Sequence, residues 1–152
     1  MDTIQIEGFS VIGIAIRTTN ENGQSAIDIP KLWDRFFAEN IMAQITNRID
    51  DTIYSIYTDY EKDHTKPYTT LLGCKVANQD SVPNGLTIKT FDAGSYIKFV
   101  AKGKLADGIV YQEWLKIWEA DIPRAFTADF EIYGTMAQKP DDAEIDILIA
   151  VG

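Results

Sequence analysis

Phe126-Thr127-Ala128-Asp129-Phe130-Glu131-Ile132-Tyr133 alternates like a half-buried strand. Ala128, Phe130 and Ile132 fall on one face, and Asp129, Glu131 and Tyr133 on the other. The first face belongs to an apolar core. The second sets carboxylates beside a phenol. On a wet sheet that pattern is ordinary. In a concave site rich in aromatic rings it is a receptor for a cation, and the rest of the chain decides between the two.

After this strand, residues 134–143 read as a long turn through Lys139-Pro140-Asp141-Asp142. Residues 144–151 read as a final strand with Ile145, Ile147 and Ile149 on one face. Before it, a helix is expected over 108–120. Tyr111, Trp114, Leu115 and Trp118 share one helical face, and Ile122-Pro123 stops it. Short strands over 86–91 and 95–101 precede the helix, separated by the turn Asp92-Ala93-Gly94.

The first half has the same order. A Val- and Ile-rich strand spans 9–19 and a polar loop follows to residue 25. Asp28 offers an N-cap, Pro30 suits the first turn, and the helix runs to about Asn40 with Trp33, Phe36 and Phe37 on one face. Strands over 51–60 and 68–76 form a hairpin. The turn formers of 78–85 mark the boundary between halves.

Each half is therefore strand, helix, strand, strand, with pseudo-repeats at about 1–77 and 85–152. Tyr54-Ser55-Ile56-Tyr57 lies over Phe130-Glu131-Ile132-Tyr133, and Trp33, Phe36 and Phe37 lie over Trp114, Ile117 and Trp118. The expected fold is α+β: duplicated βαββ units in one antiparallel sheet, with two main helices and a central ligand cleft near the pseudo-twofold axis. The 152 residues are read as a single domain.

Composition narrows the function. A formal net charge of -9 argues against direct nucleic-acid binding and against anionic membranes, because phosphate binding needs a basic surface. No apolar run reaches the ~18 residues of a membrane span, and no secretory leader is visible, so a cytoplasmic location is expected. One Cys and one His cannot build a Cys/His zinc site, and neither a metal nor a cofactor is expected. His64 reads as a solvated loop residue and Cys74 as a packed thiol.

Phe130-Glu131-Ile132-Tyr133, followed by Lys139-Pro140-Asp141-Asp142-Ala143-Glu144-Ile145-Asp146-Ile147, resembles the closing motif of the GyrI-like small-molecule-binding family. This is the effector-binding domain also found in AraC-type and MerR-type multidrug regulators. Tyr54 to Tyr60, with Pro67-Tyr68-Thr69-Thr70 and Gly73, fits the same family, and its stand-alone integron-associated branch most closely. The resemblance implies a pocket for a hydrophobic, cationic small molecule that stacks on rings over a buried glutamate, here Glu131. Some members of that family instead hydrolyse reactive electrophiles, which would make Glu131 a general base, and others inhibit DNA gyrase. The chain departs from the regulators in having no helix-turn-helix before Phe9, so a transcriptional role would need a separate DNA-binding regulator as partner.

The expected ligand-binding set is Glu131, Tyr133, Tyr57, Tyr68, Trp33, Phe37 and Trp118. Tyr133 and Tyr57 follow from alternation and the repeat, and Tyr68 from the resemblance. Trp33, Phe37 and Trp118 are helix rings placed to line the rim of a cleft between halves. Tyr54 is expected to face the other way, under a helix, and Trp114 to be core.

Overall fold

The computed structural model describes residues 2–134, 137 and 139–152. The turn expected over 134–143 includes Thr135, Met136 and Gln138, which lie outside the described residues. In chain order the elements are β1 (Ile4–Ile6), β2 (Phe9–Thr18), α1 (Ser25–Ala38), α2 (Ile41–Gln44), β3 (Ile53–Thr58) and β4 (Tyr68–Lys75). The second half follows with β5 (Thr87–Phe91), β6 (Gly94–Gly103), α3 (Ile109–Glu119), β7 (Ala128–Tyr133) and β8 (Ala143–Val151).

All eight strands form one antiparallel sheet in the order β1-β6-β8-β7-β3-β4-β2-β5. The order is symmetric about the β3–β7 pair: β1 answers β5, β6 answers β2, and β8 answers β4. The first strand of each half pairs in the other half, β1 on β6 and β5 on β2. The short β1 carries too little pattern to stand out in the sequence.

That exchange forces the sheet to curl. β1 and β2 are joined by Glu7-Gly8, a link that reaches roughly 10 Å at full extension. Six inter-strand steps of a flat sheet would hold these strands roughly 29 Å apart. The two ends therefore come together, and the inner face closes on its own side chains. Phe9 sits at that closure, with its ring 5.3 Å from both Phe91 and Phe130. Val11, Tyr54, Ile56, Leu71 and Tyr96 belong to the same cluster.

Tyr54 does lie on the opposite face from Tyr57, but no helix covers it. It packs inside the curl against Phe9 and Phe130, because that face is closed by the sheet itself. The helices cover the outer face. Leu32 and Phe36 of α1 pack on Ile12, Ile14 and Leu72, and Trp114 and Ile117 of α3 lie among Ala101, Ile145 and Ile147.

α1 starts earlier than the sequence suggests. Asp28 is within its first turn, and its carboxylate accepts hydrogen bonds from Thr18 Oγ1 and Gln24 Nε2, each at 2.9 Å. An acid there is favourable at the positive end of the helix dipole.

Gly13 and Gly73 face each other across the β2–β4 ladder. A Cβ on Gly13 would lie 2.0 Å from the Leu72 carbonyl oxygen and 2.6 Å from the Gly73 Cα. Backbone cannot step aside as a side chain does, so Gly13→Ala must force the two strands apart. The expected loss is about 3 kcal/mol, read as a lower denaturant midpoint at unchanged slope. A loss below ~0.5 kcal/mol would contradict the close approach.

Candidate functional site

The β3–β7 pair places the site. Ser55 stands directly opposite Glu131, and Ile53 opposite Tyr133. By the period of two, Ser55, Tyr57, Glu131 and Tyr133 all face the helices. Between α1 and α3 this face opens into a cavity of about 390 Å³, within the usual range for small-molecule sites.

Glu131 is the carboxylate of that cavity and is 3% exposed. Its Oε2 accepts hydrogen bonds from Tyr57 Oη at 2.8 Å and Trp114 Nε1 at 2.7 Å, and its Oε1 accepts one from Tyr133 Oη at 2.6 Å. All three donors are neutral. Burial pushes the carboxyl above the ordinary glutamate value, and the three hydrogen bonds pull it only partway back. Burial, and then the nearby Glu131 charge, push the Tyr57 and Tyr133 phenols well above their usual range. They remain neutral donors at physiological pH.

The arrangement follows the duplication. Tyr57 and Tyr133 occupy equivalent positions and hold the carboxylate from both halves. Trp33 meets the Tyr133 ring edge-on at 4.8 Å, and its counterpart Trp114 meets Tyr57 edge-on at 5.5 Å. The symmetry breaks at the carboxylate, whose partner position holds the small Ser55.

Six residues of the expected set line the cavity: Glu131, Tyr133, Tyr57, Tyr68, Trp33 and Trp118. Phe37 does not: it is 63% exposed and stacks on Trp33 at 6.0 Å, one helical turn beyond Trp33, the last α1 residue to line the cavity. Trp114, expected in the core, is both packed and part of the wall. Its place in the repeat opposite Trp33 was the available signal.

His64 is also not a free loop residue. It lies against Trp118 at 5.5 Å with the rings 10° from parallel, and it lines the cavity. Burial, and then the Arg124 charge, lower its pKa from the usual imidazole value. Arg124 and Tyr60 line the same end. Behind them Asp129, 0% exposed, accepts from Tyr60 Oη at 2.6 Å, Arg124 Nη2 at 2.8 Å and the Ala150 amide at 2.9 Å. Nothing in the local pattern marks Arg124, which comes from the link between α3 and β7.

Among the described residues, no group of three or more His, Cys, Asp or Glu could hold a metal ion, and no helix is long and apolar enough to cross a membrane. Cys74 is buried, and burial pushes its thiol up to about 11. It is therefore a poor nucleophile at neutral pH.

A duplicated βαββ sheet with an aromatic cavity around one carboxylate defines a small-molecule, effector-binding domain. The chain belongs to the integron-associated effector binding protein family, whose model matches residues 4–151. It is 29% identical over 126 residues to YobU of Bacillus subtilis (strain 168), provisionally named a transcriptional regulator protein; the match spans 81% of this chain and 79% of that one. Integron cassette protein VCH_CASS2, from the mobile metagenome of Vibrio cholerae, superposes with a TM-score of 0.75 at 28% identity, covering 99% of this chain and 95% of that one. SAV2435, solved bound to tetraphenylphosphonium, shares the fold with a TM-score of 0.80 at 17% identity, covering 99% and 93%.

Proposed function

We propose that the chain binds a hydrophobic, cationic small molecule in the cavity, with Glu131 as counter-ion and Tyr57, Tyr133, Tyr68, Trp33 and Trp118 as aromatic walls. One observation carries this reading: Glu131 is buried among rings, and its three hydrogen-bond donors are all neutral. A desolvated carboxylate held only by neutral donors keeps its charge uncompensated. A cation at about 4 Å would supply ~4 kcal/mol at an effective dielectric of 20. Each well-placed ring would add ~0.5–2 kcal/mol. Neither term needs directional donors, so cations of varied shape fit. The tetraphenylphosphonium held by SAV2435 is of this class.

Membership of the effector-binding family supports a module that senses or sequesters its ligand. A regulatory role, as the name of YobU suggests, would run through a DNA-binding partner.

The three tryptophans, Trp33, Trp114 and Trp118, all line the cavity, so intrinsic fluorescence reports occupancy directly. Tetraphenylphosphonium is expected to quench it saturably, while neutral triphenylmethanol binds at least tenfold more weakly. Equal affinity for the two would remove the counter-ion reading.

The pH dependence has a definite sign. The cation needs ionised Glu131, whose pKa in the free protein is raised by burial. Binding therefore releases protons near that pKa, and affinity rises with pH through it and then levels off. His64, lowered by burial and by Arg124, gains its charge only at acid pH and there adds a second positive charge to the wall. Both effects weaken cation binding as pH falls from 7 to 4. Affinity that is flat over that interval would contradict the assignment of Glu131.

A further inference from the structure

The cavity has two chemically different ends. One is Glu131. At the other, Arg124 has a side chain only 6% exposed, spends Nη2 on Asp129, and leaves Nε and Nη1 buried without hydrogen-bond partners among the described residues. His64 Nδ1, in the same end of the cavity, is also buried and unpartnered among them. Trp114 stands between the ends. Its Nε1 donates to Glu131, and its ring lies 5.9 Å from the Arg124 guanidinium carbon. The Phe126 ring covers that carbon at 4.3 Å, which stabilises the charge but accepts no directional hydrogen bond comparable to an oxygen acceptor. Phe126 is held at φ 55°, a costly backbone for a bulky residue.

A buried guanidinium with two idle N–H positions is an expensive arrangement unless something accepts from them. Asp129 is already shared with Tyr60 and the Ala150 amide. An acceptor brought by a ligand would complete the set. His64 fits the same role, since its neutral ring can carry its proton on Nδ1 and donate.

From this geometry we infer that the cavity is an amphoteric receptor: its ligand pairs a cation at Glu131 with a carboxylate or comparable oxygen acceptor at Arg124 and His64, displacing the Phe126 ring as it enters. The inference rests on the cation reading for one end only. The Arg124 end makes its own demand on the ligand, so the two can fail separately.

Three probes separate them by tryptophan fluorescence and calorimetry. These are a triphenylphosphonium with a butyl-linked carboxylate, a triphenylphosphonium with a pentyl tail, and the uncharged triphenylmethyl core with the butyl-linked carboxylate. Each is titrated into wild type, Arg124→Lys and His64→Phe. Lysine keeps a cation beside Asp129, so the ion pair survives, but it lacks the idle N–H pair. Phenylalanine keeps the stack on Trp118 without Nδ1 and remains informative if the Arg124 variant fails to fold.

Wild type is expected to bind the carboxylated phosphonium about tenfold more tightly than the pentyl one. That preference, read as the ratio of the two affinities within each variant, should vanish in Arg124→Lys and shrink in His64→Phe. Binding of both phosphoniums without a carboxylate preference overturns the amphoteric inference and leaves the cation reading standing. Binding of only the carboxylate on the triphenylmethyl core, dependent on Arg124, overturns the cation reading and upholds the acceptor end. A cavity that takes none of the three overturns both.

Discussion

Glu131→Gln lowers the affinity for tetraphenylphosphonium by about 10–100-fold while the fold persists. The two side chains are nearly the same size, so the cavity keeps its shape. The amide oxygen can still accept from Trp114 and one tyrosine, and its NH₂ can donate to the other phenol once that hydroxyl rotates. What is lost is the charge, and with it the ~4 kcal/mol of attraction less the cost of stripping water from the cation, a net ~1.5–3 kcal/mol. Stability moves the other way. The folded-state pKa of Glu131 is raised by burial, so ionisation is harder in the native protein than in the unfolded chain. Native stability therefore falls as pH rises from about 4.5 through that raised pKa, and the variant escapes this loss. At neutral pH the variant should melt no lower than wild type, and below pH 4 the two should converge. Unchanged cation affinity in a folded variant would remove Glu131 from the binding step.

The largest effect on stability belongs to Asp129→Ala, expected to cost about 3–5 kcal/mol, as is usual when one member of a buried ion pair is removed. Asp129 is fully buried and serves three donors from three places: Tyr60, Arg124 and the Ala150 amide on β8. Removing it strands the guanidinium, whose Nε and Nη1 already lack partners, and leaves a strand amide unpaired. For a chain of this size the melting temperature should fall on the order of 10 °C. Asp129→Asn should be milder, because it can still accept from Ala150. A loss under ~1 kcal/mol for the alanine variant would show that the network is not holding β7 to β8.

Both predictions concern neighbouring residues on one strand, and their legibility differed. Alternation along 126–133 placed Glu131 and Tyr133 on one face and Phe130 on the other, which the register of β3 and β7 bears out. The same pattern put Asp129 on the face of Glu131, but nothing local showed that it would be buried against Arg124, five residues earlier in an irregular link. The helix rings divide similarly. Trp33 on α1 and Trp114 and Trp118 on α3 line the cavity, whereas Phe37 continues the stripe of Trp33 but lies one turn past the cavity, and the apolar pattern does not show where along the helix the cavity ends.

The sequence by itself determined the α+β plan of two similar halves, the alternation of faces along each strand, and the placing of Tyr133 and, by the repeat, Tyr57 on the face of Glu131 or of its symmetric counterpart. These follow from periods of two and 3.6, which are properties of neighbouring residues. Only the tertiary structure decided that β1 and β5 change halves, that the sheet therefore curls over Tyr54, and that His64 and Arg124 enter the cavity beside Trp118. Those outcomes depend on which distant segments meet. Short link lengths and a closed inner face set the meetings, and no local period records them.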